Sequence, residues 1–292
     1  MLSKDFYLIT ESWLTYCYLI ELWIENFEKY PNFKGIIVAE KSPSEATIQD
    51  RKLFHKEYAG QKKINNNMEQ SLRKFYPNFD ASERAMISLF GIPKYSITDY
   101  HKTLFFDGGI NGKYAKQWLT KTCENISPFF FIGIGKILKP WWIDLTNSQV
   151  VNVHSAVLPY GRGIYSLENI AALRDIQKFR QVVGTTVHYI DRDVDTGSII
   201  RSQRIIDPFR FNSIWELKGY TYMTGFNLHV DVARDIVSNN ETIPIGIVQN
   251  PSLRGRNFKI KDFTLDKQKQ AEQGYLAMKL QSKSHNSDYK SY

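Results

Sequence analysis

The spacing of apolar residues predicts a βαβ unit at the start of the chain. An apolar run lies within 4–10, apolar residues at helical spacing fill 11–30, and a second apolar run lies within 31–41. A strand, a helix and a strand in this order form a parallel pair. Further buried strands are predicted within 127–138, 149–154 and, as a pair around an acidic turn, 184–205. The pattern therefore predicts an α/β fold with a mostly parallel sheet flanked by helices.

Two other stretches predict helices. Residues 42–90 are charged and poor in β-branched residues, which indicates surface helices inserted between strands, and 213–239 has the pattern of a long amphipathic helix. Gly225 is a candidate interruption of that helix. We divide the chain into a main domain, a C-terminal extension and a polar, disordered tail at residues 1–240, 241–282 and 283–292.

Charge and cysteine content limit the class of protein. The formal net charge is +8, but the Lys and Arg residues are spread along the chain, which favours a basic soluble protein over a nucleic-acid-binding arm. The apolar N-terminal stretch contains Glu11 and Glu21 and lacks a basic start, so it does not read as a signal peptide or a membrane span. Two cysteines without metal-ligand spacing indicate a reducing compartment, and we expect the cytoplasm.

The candidate chemistry lies in two segments. Asn152 and His154 are two residues apart on a predicted strand, so their side chains share one face, and a Pro/Gly-rich turn follows at 158–163. The second segment contains His188 and ends in an Asp195–Thr196–Gly197 turn. An imidazole can exchange protons, a carboxylate can hold its charged form, and an amide can donate to a developing oxyanion. Each residue alone also has a structural explanation: the strand for Asn152 and His154, the turn for Asp195, and the core for His188.

The joint pattern resembles the folate-dependent formyltransferase family. The family motif Asn-x-His-Pro-Ser-Leu-Leu-Pro corresponds here to "NVHSAVLPYGRG", and the later family motif corresponds to "GTTVHYIDRDVDTGSIIRSQ". The resemblance is specific over residues 125–207, and it is absent over 42–90. It implies a Rossmann-like sheet and a formyltransferase-like catalytic domain.

The resemblance also implies roles for individual residues. Asn152 would donate to the formyl oxygen, His154 would be the acid–base group, Asp195 would hold His154 and relay a proton, and His188 would support them. Two loops would form the walls of the pterin pocket of 10-formyltetrahydrofolate, the co-substrate. Their residues are Gly135, Lys136, Ile137, Leu138, Asp191 and Val194.

The function implied is transfer of a formyl group from 10-formyltetrahydrofolate to an amine of a small acceptor. Candidate acceptors are a nucleotide-linked amino sugar and an amino-acid-derived amine or hydroxylamine. Glu11 stands in the first βα turn, where purine-pathway members have a phosphate cradle, and it argues against a phosphoribosyl acceptor. The short chain after 240 argues against initiator tRNA.

Two alternatives stay open at this stage. One is a formyltetrahydrofolate hydrolase, in which water replaces the amine. The other is a non-catalytic protein that binds a folate or a nucleotide. We expect no membrane partner and no nucleic-acid partner, and a homodimer is compatible with the sequence.

Overall fold

The computed structural model describes residues 4–97, 100–125, 127–238 and 243–288. Within them, seven strands form one sheet in the order β3-β2-β1-β4-β5-β7-β8. Its strands are β1 Phe6–Thr10, β2 Phe33–Val38, β3 Thr103–Phe105, β4 Phe129–Gly133, β5 Val150–His154, β7 Gly184–Tyr189 and β8 Ile199–Arg204. The pairs from β3 to β5 are parallel, and the two pairs made by β7 are antiparallel. The α/β fold with a mostly parallel sheet is thereby confirmed.

The register of the sheet places the candidate residues together. Asn152 lies opposite His188 in the antiparallel pairing of β5 with β7, and His154 lies opposite Thr186. Side chains directly opposite each other project from the same face of a sheet. Asn152 also pairs with Ile132 near the end of β4, so this group stands where the parallel strands end. In open α/β sheets, ligands bind at this edge.

Helices cover both faces of the sheet. They are α1 Leu14–Phe27, α2 Glu45–Tyr58, α3 Asn66–Phe75, α4 Ala81–Phe90, α5 Lys113–Thr122, α6 Pro140–Leu145, α7 Ser166–Ala171, α8 Ile176–Val182, α9 Ile214–Ser238 and α10 Leu265–Asp288. One face packs against α1 and α9 through a core rich in aromatic rings, including Phe6, Trp23 and Phe131. The other packs against α5 and α6, where Phe130 meets Trp142.

The segment 42–90 forms three helices, α2 to α4. These helices bury more apolar side chains in the core than helices that lie only on the surface would. Phe54, Met68, Leu72 and Phe75 are buried in the same cluster as the central strands. Each helix has a polar N-cap: the side chains of Ser44, Asn65 and Asp80 accept backbone N–H groups at the three starts. The segment is therefore built into the domain, and α4 contacts α9 extensively.

Helix α9 runs without a break through Gly225, which differs from the expected interruption. A side chain at 225 would approach Thr185 Oγ1 to 2.6 Å and Val153 Cγ2 to 3.0 Å, so glycine is required by the close passage of α9 over β5 and β7. None of the described helices is long and apolar enough to cross a membrane.

The C-terminal extension returns to the turn that follows β5. Strand β6 Arg162–Gly163 pairs in parallel with β9 Asn257–Phe258, and Tyr165 stacks on Phe263 with ring centroids 4.4 Å apart. Helix α10 continues to Asp288, past the start of the tail predicted at 283–292. Residues 289–292 of that tail lie outside the described residues.

Candidate active site

The imidazole of His154 and the carboxylate of Asp195 lie side by side at the end of β5. His154 Nδ1 is 3.8 Å from Asp195 Oδ2, and His188 Nε2 is 3.7 Å from Asp195 Oδ1. Asn152 Nδ2 is 3.2 Å from His188 Nε2. Asp195 is 41 residues from His154 in sequence, and the turn after β7 folds back over the sheet face to bring it there. The structure therefore brings all four predicted polar side chains into one group.

His188 fixes the orientation of the Asn152 amide. Its Nδ1 is 2.7 Å from the carbonyl oxygen of Tyr189, and because a carbonyl can only accept, Nδ1 carries the hydrogen. Nε2 of the neutral ring is then an acceptor, and the Asn152 amide donates to it. Burial lowers the pKa of His188, which favours this neutral form. Asn152 thus keeps one amide hydrogen for another acceptor.

The turn after β5 fixes the His154 ring in the same way. His154 Nε2 donates to the carbonyl oxygen of Gly161 at 2.8 Å. Gly161 has no room for a side chain, since a Cβ there would lie 2.8 Å from the Cβ of Ala156. Nδ1 is left facing Asp195, so this is the nitrogen that can take up a proton beside the carboxylate.

Asp195 is held as a charged group in an uncommon backbone conformation. Its φ is 53°, in the left-handed region that non-glycine residues rarely adopt. Oδ2 accepts the backbone N–H of Gly163 at 2.7 Å. Burial would raise the pKa of Asp195, but the His154 imidazole, the Gly163 N–H and Arg162 hold it below its usual value. The carboxylate therefore stays ionised near the two imidazoles.

Two residues that the sequence analysis did not single out support this turn. Gln249 is buried, and its Nε2 donates to the carbonyl oxygens of Asp195 at 3.0 Å and Gly197 at 2.8 Å. The Arg162 guanidinium donates to the carbonyl oxygen of Val194 from Nη2 at 2.7 Å. Both contacts join a side chain to the backbone of a distant segment, so no local pattern in the sequence marks them.

Gln249→Ala should lower the turnover of the protein by about tenfold, since the Asp195 turn loses two buried hydrogen bonds of about 1 kcal/mol each. We expect kcat to fall while the affinity for the co-substrate that the family resemblance implies, 10-formyltetrahydrofolate, measured by titration, changes little. Gln181→Ala, at an exposed glutamine of α8, is the matched control. Equal kcat values for the two variants would contradict a positioning role for Gln249.

The two loops predicted as pterin walls follow β4 and β7, the strands on either side of β5 in the sheet. Gly135, Lys136, Ile137 and Leu138 follow β4, and Asp191 and Val194 belong to the turn after β7. Arg192 Nη2 and Asp144 Oδ1, 3.2 Å apart, join that turn to α6, the helix that begins after the first loop. Ile137 is 70% exposed and presents an apolar surface, whereas Leu138 is buried in the core below. Asp191 is occupied within its own turn, where it accepts from the Thr196 hydroxyl and from the N–H of Asp193.

Glu11 holds the first of these loops. Its Oε2 accepts the backbone N–H of Gly135 at 2.7 Å, and its Oε1 is 3.0 Å from Lys136 Nζ. Lys136 also donates to the carbonyl oxygen of Ala39 at 3.2 Å. The Lys136 ammonium group and the Gly135 N–H are therefore engaged by the protein itself. Gly135, Lys136 and Ile137 are all exposed, and Ile137 supplies the apolar side chain of this surface.

An amide with a free hydrogen and an imidazole beside a carboxylate are groups that can catalyse acyl transfer. The amide can stabilise negative charge on a carbonyl oxygen, and the imidazole–carboxylate pair can accept and return a proton.

Comparison with known proteins bears on this site. Residues 111–207 match the family model described as "Formyl transferase". The chain is 26% identical over 137 residues to methionyl-tRNA formyltransferase from Borrelia recurrentis, which covers 45% of the chain and 41% of that protein. It is 27% identical over 119 residues to trifunctional purine biosynthetic protein adenosine-3 from Chironomus tentans, covering 41% of the chain and 8% of that protein. The chain spans less than half the length of these curated relatives.

Solved structures extend the likeness to the whole fold. A sugar N-formyltransferase from Shewanella aligns with a TM-score of 0.53 at 14% identity, covering 93% of the chain and 88% of that structure. The N-formyltransferase from Helicobacter canadensis, solved with folinic acid and dTDP-3-aminofucose, aligns at 0.52 and 15%, covering 90% and 73%. The predicted resemblance to formyltransferases is confirmed: the chain has the fold of these solved formyltransferases, and residues 111–207 match the formyl transferase family model.

Proposed function

We propose that this protein is a folate-dependent N-formyltransferase that moves the formyl group of 10-formyltetrahydrofolate to an amine of a small acceptor. One observation carries the proposal: Asn152, His154 and Asp195 meet where the parallel strands end, with the His154 ring 3.8 Å from the Asp195 carboxylate. The matched family segment, 111–207, contains all three residues.

The geometry suggests a division of labour. The Asn152 amide, oriented by His188, donates its remaining hydrogen to the formyl oxygen as that oxygen becomes negative. A bond forms between the acceptor nitrogen and the formyl carbon, and the bond from that carbon to the co-substrate nitrogen breaks. The proton lost by the amine passes to the Asp195–His154 pair and is returned to the departing nitrogen. Protons and bonds therefore balance without a protein nucleophile.

The residues beside the site fit a folate. When bound, 10-formyltetrahydrofolate would supply the formyl group and a nitrogen that leaves with the returned proton. Ile137, exposed at the loop after β4, offers an apolar contact for a flat ring, and the Asp191–Val194 turn would face it as the second wall. Recognition of the ring's polar edge would fall to backbone groups, because the side chains of Lys136 and Asp191 already have partners.

The acceptor class follows in part from similarity. Two of the aligned structures have TM-scores above one half: the Shewanella protein is described as a sugar N-formyltransferase, and the Helicobacter canadensis N-formyltransferase was solved with dTDP-3-aminofucose, a nucleotide-linked amino sugar. We propose a nucleotide-linked amino sugar as the first acceptor to test. An amino-acid-derived amine is the second.

A screen of amine acceptors with 10-formyltetrahydrofolate, read by the mass gain of one formyl group, tests the proposal. Asn152→Ala should lower the rate by about 10²-fold, because the oxyanion loses its donor. Asn227→Ala, at an exposed asparagine of α9, is the matched control and should retain the rate. Formate release without any acceptor would indicate the hydrolase instead. Folinic acid binding without turnover toward any amine would indicate a binding protein.

A further inference from the structure

The N-terminus of α1 is occupied by a carboxylate from the inserted helices. Glu83 of α4 accepts the backbone N–H of Thr15 at 2.9 Å and the Thr15 hydroxyl at 3.1 Å, both through Oε1. Trp13, the N-cap of α1, provides no side-chain cap of its own. Glu83 is 2% exposed, and its Oε2 has no hydrogen-bond partner among the described residues. A buried carboxylate is thus directed at the start of the helix from 68 residues away.

Glu11 occupies the other side of the same turn. It directly follows β1, is 2% exposed, and binds the Gly135 N–H and Lys136 as described above. In a βα turn, the free N–H groups and the positive end of the helix dipole form a natural site for an anion such as phosphate. Here the Glu83 carboxylate takes up the Thr15 N–H at the start of α1, and Glu11, within the turn, adds a second carboxylate that binds the Gly135 N–H of the loop after β4.

We propose that Glu83 and Glu11 are specificity-determining residues that close the β1–α1 turn to phosphate and so exclude acceptors carrying a phosphomonoester at this end of the cleft. The inference rests on the proposed function, because it concerns the acceptor of that same reaction. It assigns a role to the inserted helices: α4 delivers Glu83, and Asp80, its N-cap, accepts the backbone N–H groups of Ser82 and Glu83 and so fixes the start of the helix.

Phosphate would be excluded from the β1–α1 turn for two physical reasons. The Glu83 carboxylate fills the position of the anion, and its charge, like that of Glu11, repels a second one. Burial raises the pKa of Glu83 to about 7, so the charge is fully developed only above that pH. Binding is therefore best measured near pH 8, where both sources act.

Titration with inorganic phosphate and with ribose 5-phosphate tests the proposal without folate or acceptor. We compare the wild-type protein with Glu83→Ala, with Glu83→Gln, which keeps an acceptor for Thr15 but removes the charge, and with Glu11→Gln/Glu83→Ala. Glu45→Ala removes the same charge from an exposed site on α2 and is the matched control. Binding is followed by calorimetry and by the amide NMR signal of Thr15.

We expect the double variant to bind ribose 5-phosphate at least about tenfold more tightly than the wild-type protein, with a shift of the Thr15 amide, and Glu83→Gln to lie between them. Folded variants that bind no more tightly than Glu45→Ala would overturn the proposal. So would phosphate binding by the wild-type protein that moves the Thr15 amide, a result that does not depend on any variant. Since no formyl transfer is measured, failure here is distinct from failure of the proposed function.

Discussion

Asp195→Asn should reduce formyl transfer by about 10²- to 10⁴-fold while leaving the fold intact. Asparagine has the same shape, and its Oδ1 can still accept the Gly163 N–H, so the turn is retained. What is lost is the negative charge 3.8 Å from His154 Nδ1. Without it, the imidazolium that forms during proton transfer is no longer stabilised, and the proton has no carboxylate to reach.

The coupling of the two groups gives a sharper test. His154→Gln alone should cause a loss of similar size, and the double variant should be little worse than either single variant, because the two side chains act as one unit. Asp231→Asn on α9 removes the same charge from an exposed position and should retain activity. Additive losses in the double variant would show that Asp195 and His154 act independently.

Asp195→Asn should also change how the stability of the protein depends on pH. The folded-state pKa of Asp195 is held below its ordinary value, so its charge contributes stability above the unfolded-state pKa and that contribution is lost as the pH falls through the folded-state pKa. Asp195→Asn should therefore remove part of the loss of unfolding free energy between about pH 5 and pH 2. Urea unfolding at several acidic pH values measures this, with Asp231→Asn again as the reference.

The central strands could be predicted because they are buried on both faces. Strands β1 and β4 coincide with apolar runs, β2 ends in one and β5 begins with one, which is what a parallel sheet covered by helices requires. Strand β3 has only three half-buried residues, and its short segment carries no such signal. Helices α7 and α8, of six and seven residues, are also too short for a periodic pattern to mark them.

The site could be predicted only in part from spacing. Asn152 and His154 share a face because they are two residues apart on a strand, and that follows from the sequence alone. The approach of Asp195 to His154 depends on a turn that folds back over the sheet. From the sequence, this approach was predicted only through the family resemblance. Gln249 and Glu83 could not be found at all, because each acts on the backbone of a segment more than fifty residues away.

Gly197, two residues after Asp195, explains why the sequence could predict part of this turn. A side chain at Gly197 would collide with the carbonyl oxygen of Tyr189, so the Asp-x-Gly pattern marks a place where two backbone segments meet closely. The sequence suggested an ordinary turn as the alternative explanation. In the structure, the turn itself places the Asp195 carboxylate beside His154, so the structural and the functional explanation of this pattern are compatible.

Breaking a buried ion pair beside the turn after β5 should have the largest effect on the free energy of unfolding. Lys218 of α9 and Glu168 of α7 form a salt bridge in which the side chains are 5% and 1% exposed. Burial would lower the pKa of Lys218, but Glu168, with Tyr222 and Asp80, raises it above the ordinary value, so the pair is ionic. The Lys218 ammonium also lies 4.4 Å from the ring centre of Tyr165, which follows the turn that holds His154.

Lys218→Met should lower the free energy of unfolding by about 3–5 kcal/mol at neutral pH, because the Glu168 carboxylate is left buried without its partner. Lys218→Met/Glu168→Met should recover much of the loss at neutral pH, since two well-packed apolar side chains can replace a buried pair. Arg201→Met, which breaks an exposed pair with Asp235, should cost less than about 1 kcal/mol. The prediction would be contradicted if Lys218→Met lowered the free energy of unfolding no more than Arg201→Met does. It would also be contradicted if the double variant were no more stable than Lys218→Met, because the loss would then not come from the buried, unpaired charge of Glu168.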